Sequence, residues 1–348
     1  MTSIPEPLNT LAAKIDKYHE SRPENMRPHF GISQLGNTDQ RGQWLGFRWA
    51  FQQQFPGRIL RLFRRGHREE ETVVADLKAA GCELIHTLDD QLRIDLGSHV
   101  SGSPDGIILS GVPEAPTKPH LLEIKTMGRK AFDAVVKEGL QKANPVYWVQ
   151  VHAYMQGITQ NNLVGRPVDR CLFFAICKDD DSIYTERIKL DSAFAVEQIE
   201  RGQAVALADR MPEPLFTNPS HWQAKWSPYY AVYFPASATS EHWAKLRQQR
   251  DGSGASSRAC VNCRTCAHST PHKGSGWRCE QYGKDIPVDF QRKGCDRHVL
   301  HPDIAELCGL EFIGGDGVRA EYRHAGKTYL NGHEAVSTEL MLLEAAKC

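Results

Sequence analysis

The stretch HLLEIKTM (120–127) sets a carboxylate, Glu123, and an ammonium, Lys125, two positions apart in an apolar run. Side chains alternate across a strand, so Glu123 and Lys125 share one face while Leu122, Ile124 and Thr126 take the other. A cross-strand ion pair on a solvated face accounts for such a pattern, and so does a hydrolytic centre. A metal-dependent phosphodiester site needs a carboxylate for a divalent cation and a positive charge beside the attacking water.

Other residues can complete that centre. Asp105, in VSGSPDGIIL, precedes an apolar strand, and the 17 residues between it and Glu123 suffice for two neighbouring strands and their loop. Asp-Gly alone is also a turn signal. Val73, Val74 and Leu77 lie three, four and seven positions beyond Glu70, which puts Glu70 on the core-facing stripe of a helix beginning near His67. An inward carboxylate wants a cation; the alternative is that Glu69–Glu71 only enrich a first turn in negative charge. Gln150 and Tyr154, four apart, share a helix face and can hydrogen-bond, although the pair alone reads as packing.

The scaffold for these residues follows from the pattern around them. Strands are expected at 82–87, 91–96, 100–109 and 120–126, with CLFFAIC (171–177) as a buried strand paired with SIYTERIKL. Helices are expected in LNTLAAKIDKYHE, in HREEETVVADLKAAG closed by Gly81, in RKAFDAVVKEGLQKA, in PVYWVQVHAYMQGIT, and from Asp191 to about Arg210. Ser33 is a candidate N-cap for the segment that follows it. The body is therefore α/β or α+β, a mixed sheet flanked by helices.

At 348 residues, 41% hydrophobic and 24% charged, the chain has ordinary globular composition and room for two domains. No run reaches the roughly 18 apolar residues of a membrane span, and the first 20 residues lack a secretory signal pattern; a cytoplasmic protein is expected. The 42 basic and 42 acidic residues cancel, so any polyanion contact must be local. GRILRLFRRGHR (57–68) offers such a patch, or else the solvated face of an amphipathic helix.

Five of the ten cysteines fall within 260–295. Clustering of this kind points to a metal rather than a disulfide framework. The preferred tetrahedral zinc set is Cys263, Cys266, Cys279 and Cys295, with Cys260, His268 and His298 as alternates. Such a metal would be structural, folding a short segment that core burial alone could not stabilise.

Together, G-x-x-x-E (Gly66–Glu70), S-P-D-G (Ser103–Gly106), E-I-K (Glu123–Lys125) and Q-x-x-x-Y (Gln150–Tyr154) resemble the PD-(D/E)xK nuclease superfamily. Their order and spacing are similar to its lambda-exonuclease and RecB-like branch, including YqaJ-type phage recombinases, over roughly residues 30–210. The resemblance implies a restriction-endonuclease-like core and a Mg2+ (or Mn2+)-dependent DNA exonuclease of recombination or repair. It assigns Asp105, Glu123 and the Ile124 carbonyl as metal ligands, and Glu70 to a second metal or a bound water. Lys125 would orient or activate the water, while Gln150 and Tyr154 would shape the site. Arg58, Arg61, Arg65, Lys130, Lys137 and Lys142 are the expected phosphate contacts, neutral to sequence.

The implied partner is DNA, with a single-strand annealing protein or a second copy of the chain as further candidates. The same-fold alternative is an iron–sulfur RecB-like end-processing nuclease of the AddB or CRISPR-associated type, with one cluster cysteine before the nuclease core; here Asp39 and Gln40 stand where that cysteine is expected, which favours zinc. A non-catalytic DNA-binding module is the alternative of another class. The expected organisation is a nuclease domain at 1–235, a linker at 248–259, a Cys/His-rich metal-binding lobe at 260–300, and a C-terminal hairpin and tail at 301–348.

Overall fold

Runs rich in Ile, Leu and Phe pair into the central sheet of the protein, which a computed structural model describes over residues 10–22, 26–246 and 259–346. Its strands, in spatial order, are β1 (Glu83–Ile85), β2 (Gly106–Ser110), β3 (His120–Met127), β4 (Arg170–Cys177) and β5 (Ile183–Lys189). β1, β2 and β3 run antiparallel in succession, β3 and β4 are parallel, and β5 returns antiparallel. The main helices are α1 (Gly57–Ala79), α2 (Arg129–Glu138), α3 (Pro145–Gln160) and α4 (Ser192–Leu207). A parallel pair needs a long crossover, and α2 and α3 lie in the chain between β3 and β4.

The period-two alternation of β3 separates two buried layers. α1 lays Val73, Val74 and Leu77 over Ile108, Leu122, Ile124, Leu172, Phe174 and Ile176. The opposite face carries Leu121, Met127, Phe173 and Ala175, buried with Val149, Tyr154 and Ile158 of α3 and Ile199 of α4. The architecture is mixed α/β, a central mixed sheet flanked by helices. Among the described residues no helix is long and apolar enough to cross a membrane.

Several local expectations need correction. α1 begins at Gly57 rather than near His67, so the arginine-rich stretch and the Glu70 stretch form one helix of 23 residues. The strand expected over 100–109 is two, Val100–Gly102 and β2, divided by Ser103, Pro104 and Asp105. Pro104 has no N–H to give a ladder, and the break frees Asp105 from it. RKAFDAVVKEGLQKA is likewise two helices, since Gly139 takes φ 75° and ends the first. Ser33 lies within a short 3-10 turn; the true N-cap is Asp39, which accepts from the Gly42 N–H at 2.9 Å and starts the helix Gln40–Phe47.

Residues 248–258 of the expected linker lie outside the described residues, and Ala259 is buried. From there a small antiparallel sheet forms from Ser269–Pro271, Trp277–Cys279 and Lys284–Asp285. Strands Glu311–Gly315, Arg319–His324 and Lys327–Gly332 make another. Trp277, Leu300, Ile304 and Tyr322 belong to the same buried cluster as Trp44, Phe47 and Phe173.

Arg264 joins the two halves of the chain most directly. It is 1% exposed, and its guanidinium carbon sits 3.7 Å from the Trp49 ring centroid. It donates to the carbonyls of Phe47 at 2.9 Å and Pro28 at 2.8 Å, and to Gln291 Oε1 at 2.9 Å. Burial, with Arg48 and Arg292 nearby, brings its pKa down to about 9. A charge so placed persists because its planar fork finds oxygens on several sides and aromatic faces above it.

Candidate active site

β2 and β3 hold the acidic centre. They pair as far as Gly106 opposite Leu122. Beyond that point the Ile124 N–H donates at 2.7 Å to Asp105 Oδ2, so the aspartate side chain takes over where the ladder stops. Glu123 points to the α3 face and is 1% exposed. Its Oε1 accepts from Lys125 Nζ and, at 2.7 Å, from Gln150 Nε2 of α3. Its Oε2 is buried with no hydrogen-bond partner.

Tyr154, one turn beyond Gln150, donates to the Ser103 carbonyl at 2.9 Å and so braces the segment that leads into Asp105. Gly102 lies against that phenol; a Cβ there would come within 2.9 Å of the Tyr154 oxygen. Tyr147 completes the same helix face, with Lys125 Nζ 5.0 Å from its ring centroid.

Burial governs the electrostatics. It pushes Glu123 up to about 7, with Asp105 and Glu70 adding to the rise and Lys125 opposing it. Burial also raises Asp105, against Lys125 and the Ile124 N–H. Glu70 is raised by burial and then by Asp105, so those two acids lie within each other's field. Burial works against the Lys125 charge, but Glu123 and Asp105 outweigh it and hold the ammonium above its ordinary pKa. These are the opposed environments expected where acids crowd around a cation.

Glu70 comes from the other side of the sheet, on α1, with His67 Nδ1 3.5 Å from its Oε1. A cleft of about 570 Å³ brings Glu70, Asp105, Gln150 and Tyr154 together with His67, Arg27, His29 and Arg93. Among the described residues, no three His, Cys, Asp or Glu side chains stand close enough as they are to hold one ion. The reason is visible at Glu123, where Lys125 occupies one oxygen, and at Glu70, which turns toward His67. The donor set of three carboxylates, one with an unpartnered buried oxygen, nevertheless suits a hard divalent cation.

The basic residues fall in two places. Arg58, Arg61, Arg64, Arg65 and Arg68 surround a separate hollow on α1, and helical spacing turns this stripe away from the face of Glu70. Arg61 pairs with Asp16, and Arg65 donates to the Lys178 carbonyl at 3.1 Å. Lys130, Lys137 and Lys142 are exposed on α2 and the short helix after it. The residues that line the acidic cleft itself, Arg27, Arg93 and His29, the last brought down to about 4 by burial and so neutral, carry no periodic signal in the sequence. Tyr147 does carry one, at three and seven positions before Gln150 and Tyr154.

Of the cysteines, Cys263, Cys266, Cys279 and Cys295 line one small cavity with His268 and His298. Cys260 does not line it; its N–H donates to the Ala50 carbonyl. His298 has both ring nitrogens within bonding distance of Thr338 Oγ1 (2.8 Å) and the Asn262 carbonyl (3.0 Å).

The fold and this cleft define a mixed α/β protein with an acidic, lysine-bearing site at the parting of two sheet strands. No protein-family model matches the chain, and no curated protein does. Solved structures similar to it include one described as SSO0001, at 16% identity and TM-score 0.35 over 69% of this chain and 97% of that one. An alkaline exonuclease, LHK-Exo, from Laribacter hongkongensis is similar at 18% identity and TM-score 0.35, covering 57% and 91% respectively. The same exonuclease in complex with dAMP is similar at 17% identity and TM-score 0.35 over the same shares. Likeness at this level assigns neither family nor residue roles.

Proposed function

We propose that the protein is a metal-dependent deoxyribonuclease of the PD-(D/E)xK kind, acting on DNA ends in recombination or repair. The observation that supports this reading is the meeting of Asp105 and Glu123 where β2 and β3 part, with Lys125 on one Glu123 oxygen and the other oxygen buried and unpartnered. A buried carboxylate oxygen without a donor is costly, and a cation is the partner that removes the cost.

Asp105, Glu123 and the Ile124 carbonyl are the groups that would hold Mg2+ or Mn2+, with Glu70 beside them. Such an ion supplies positive charge for the phosphate and a more acidic water. The chain's own residues do the rest. Lys125, held as an ammonium by its acidic neighbours, places a compact positive charge where hydroxide develops. Gln150 fixes the Glu123 rotamer, and Tyr154 fixes the approach of Asp105. Arg27, His29 and Arg93 line the cleft where a phosphate would enter.

A neighbouring cavity of about 630 Å³ shares Arg27, His29, Gly31 and Ser33 with the cleft and brings Phe55 and Phe63 to its wall. Aromatic faces beside basic groups suit an unpaired strand, whatever its sequence. The iron–sulfur reading draws less support, because Asp39 is committed to capping a helix and to Ser227 and Tyr233.

The test is digestion of end-labelled linear duplex beside a closed circle, with Mg2+ and with EDTA. Loss of the linear substrate alone, abolished by EDTA and by Asp105→Ala, is the expected result. No digestion by the wild type, or equal digestion by Asp105→Ala, refutes the proposal.

A further inference from the structure

Four thiols from three separate places in the C-terminal part of the chain line one cavity. Cys263 opens a 3-10 turn (Cys263–Thr265), Cys266 follows it, Cys279 ends the strand Trp277–Cys279, and Cys295 sits in the loop before His298. The cavity they share is about 20 Å³, room for a single water-sized occupant.

The alternates have other commitments. His298 is held at both nitrogens, and Cys260 does not line the cavity. His268 does line it, with Nε2 3.4 Å from the Val318 carbonyl. The present contacts of Cys263 Sγ are the carbonyls of Phe290 at 3.5 Å and Lys293 at 3.3 Å, both weak for a thiol donor. The thiols surround the cavity without yet meeting in it, consistent with the lack of any ready-made cluster among the described residues.

We infer that Cys263, Cys266, Cys279 and Cys295 form a tetrahedral zinc site whose role is to set Arg264 into the floor of the nuclease half. Arg264 lies between two of the ligands. Asn262 already shapes this turn, accepting from the Arg264 N–H at 2.9 Å and donating to the Trp49 carbonyl at 3.2 Å. Arg264 in turn bonds Phe47 and Pro28, and Pro28 immediately precedes His29 of the cleft wall. Four thiols that release their protons to solvent and hold one zinc ion as thiolates would close this turn and fix the guanidinium's direction. The metal site stands independently of the nuclease reading; only its effect on the cleft depends on it.

Elemental analysis of the full chain, purified without chelator, tests the site with Zn2+ itself as the probe. About one equivalent of zinc is expected in the wild type, in Cys260→Ser and in Cys308→Ser, and under a tenth of that in Cys263→Ser and Cys279→Ser. Because the last two can fail to fold, the native wild type is also alkylated: the four cysteines should react only after a zinc chelator is added. Zinc removal should speed amide exchange around Phe47–Trp49 by about tenfold or more. Absence of zinc even after stoichiometric addition, iron with acid-labile sulfide, full alkylation before chelation, or zinc retained by Cys279→Ser would each overturn the site. Unchanged exchange at Phe47–Trp49 after zinc removal would overturn its coupling to Arg264. None of these readouts needs DNA cleavage, so they can fail while the nuclease proposal stands.

Discussion

The backbone N–H of Ile124 donates to Asp105 Oδ2 at 2.7 Å, so a side chain from one strand replaces the ladder bond that its neighbour lacks. This single bond fixes the acid beside Glu123. Asp105→Asn keeps an acceptor for that N–H while removing the charge. Its circular dichroism should match the wild type, and its nuclease rate should fall by about a hundredfold or more, since several kcal/mol of transition-state stabilisation are lost. An unfolded variant, or one that cleaves normally, contradicts the assignment.

Removing Lys125 leaves Glu123 buried without the cation that opposes its raised pKa, so the carboxyl must either stay charged and unpaired or take up a proton. Urea denaturation of Lys125→Ala should show a loss of about 3–5 kcal/mol. The double variant Glu123→Gln/Lys125→Met removes both charges and should lie within about 1–2 kcal/mol of the wild type. A double variant less stable than Lys125→Ala would show that the pair is not what the interior requires.

His99, His298 and His301 are each brought down to about 4, in every case chiefly by burial. The folded protein keeps them neutral, whereas the unfolded chain protonates them near 6.5. Their contribution is thus complete above pH 6.5 and is lost as pH falls toward 4. For His298 alone the loss is on the order of 3 kcal/mol. Urea midpoints measured from pH 8 to 4.5 should fall across this window, and His298→Gln should flatten part of the slope.

The arginine stripe on α1 makes a distinct prediction about salt. Arg58→Ala and Arg68→Ala should each lower the slope of log affinity against log salt by about 0.9 for each phosphate left without its cation. Arg61, paired with Asp16, should change it little when replaced by alanine. An unchanged slope in both Arg58→Ala and Arg68→Ala would mean that the stripe is not read by a polyanion.

Arg264→Lys keeps a charge but loses the planar fork that reaches Phe47, Pro28 and Gln291 together. Stability should drop by about 2–4 kcal/mol, because buried carbonyls are left without donors. Denaturation followed by fluorescence of the neighbouring tryptophans reads this directly; a stability equal to wild type would mean that Arg264 does not hold the core together.

Much of the site is local and so is legible in the chain. Alternation in β3 assigns Glu123 and Lys125 to one face and Ile124 to the other, because period two is a property of the backbone. The four-residue step from Gln150 to Tyr154 puts both on one side of α3 for the same kind of reason. Asp105 is legible as an acid leading into an apolar strand. The break at Pro104 that aims it is only half legible: Pro104 and Asp105-Gly106 signal a turn, but whether such a signal interrupts a strand depends on the pairing around it. Arg27, His29 and Arg93 enter the cleft on connections whose course depends on tertiary packing, and no spacing encodes that. Arg264 is the plainest case: nothing in its local sequence marks it for the core, and carbonyls more than two hundred positions earlier hold it there.

That separation has a consequence for how the protein is made. Synthesis runs from the N-terminus, so Pro28, Phe47 and Trp49 leave the ribosome long before the guanidinium that satisfies them exists. Until Arg264 is made, the carbonyls of Phe47 and Pro28 lack the donor, and the Trp49 ring the cation, that they have in the finished fold.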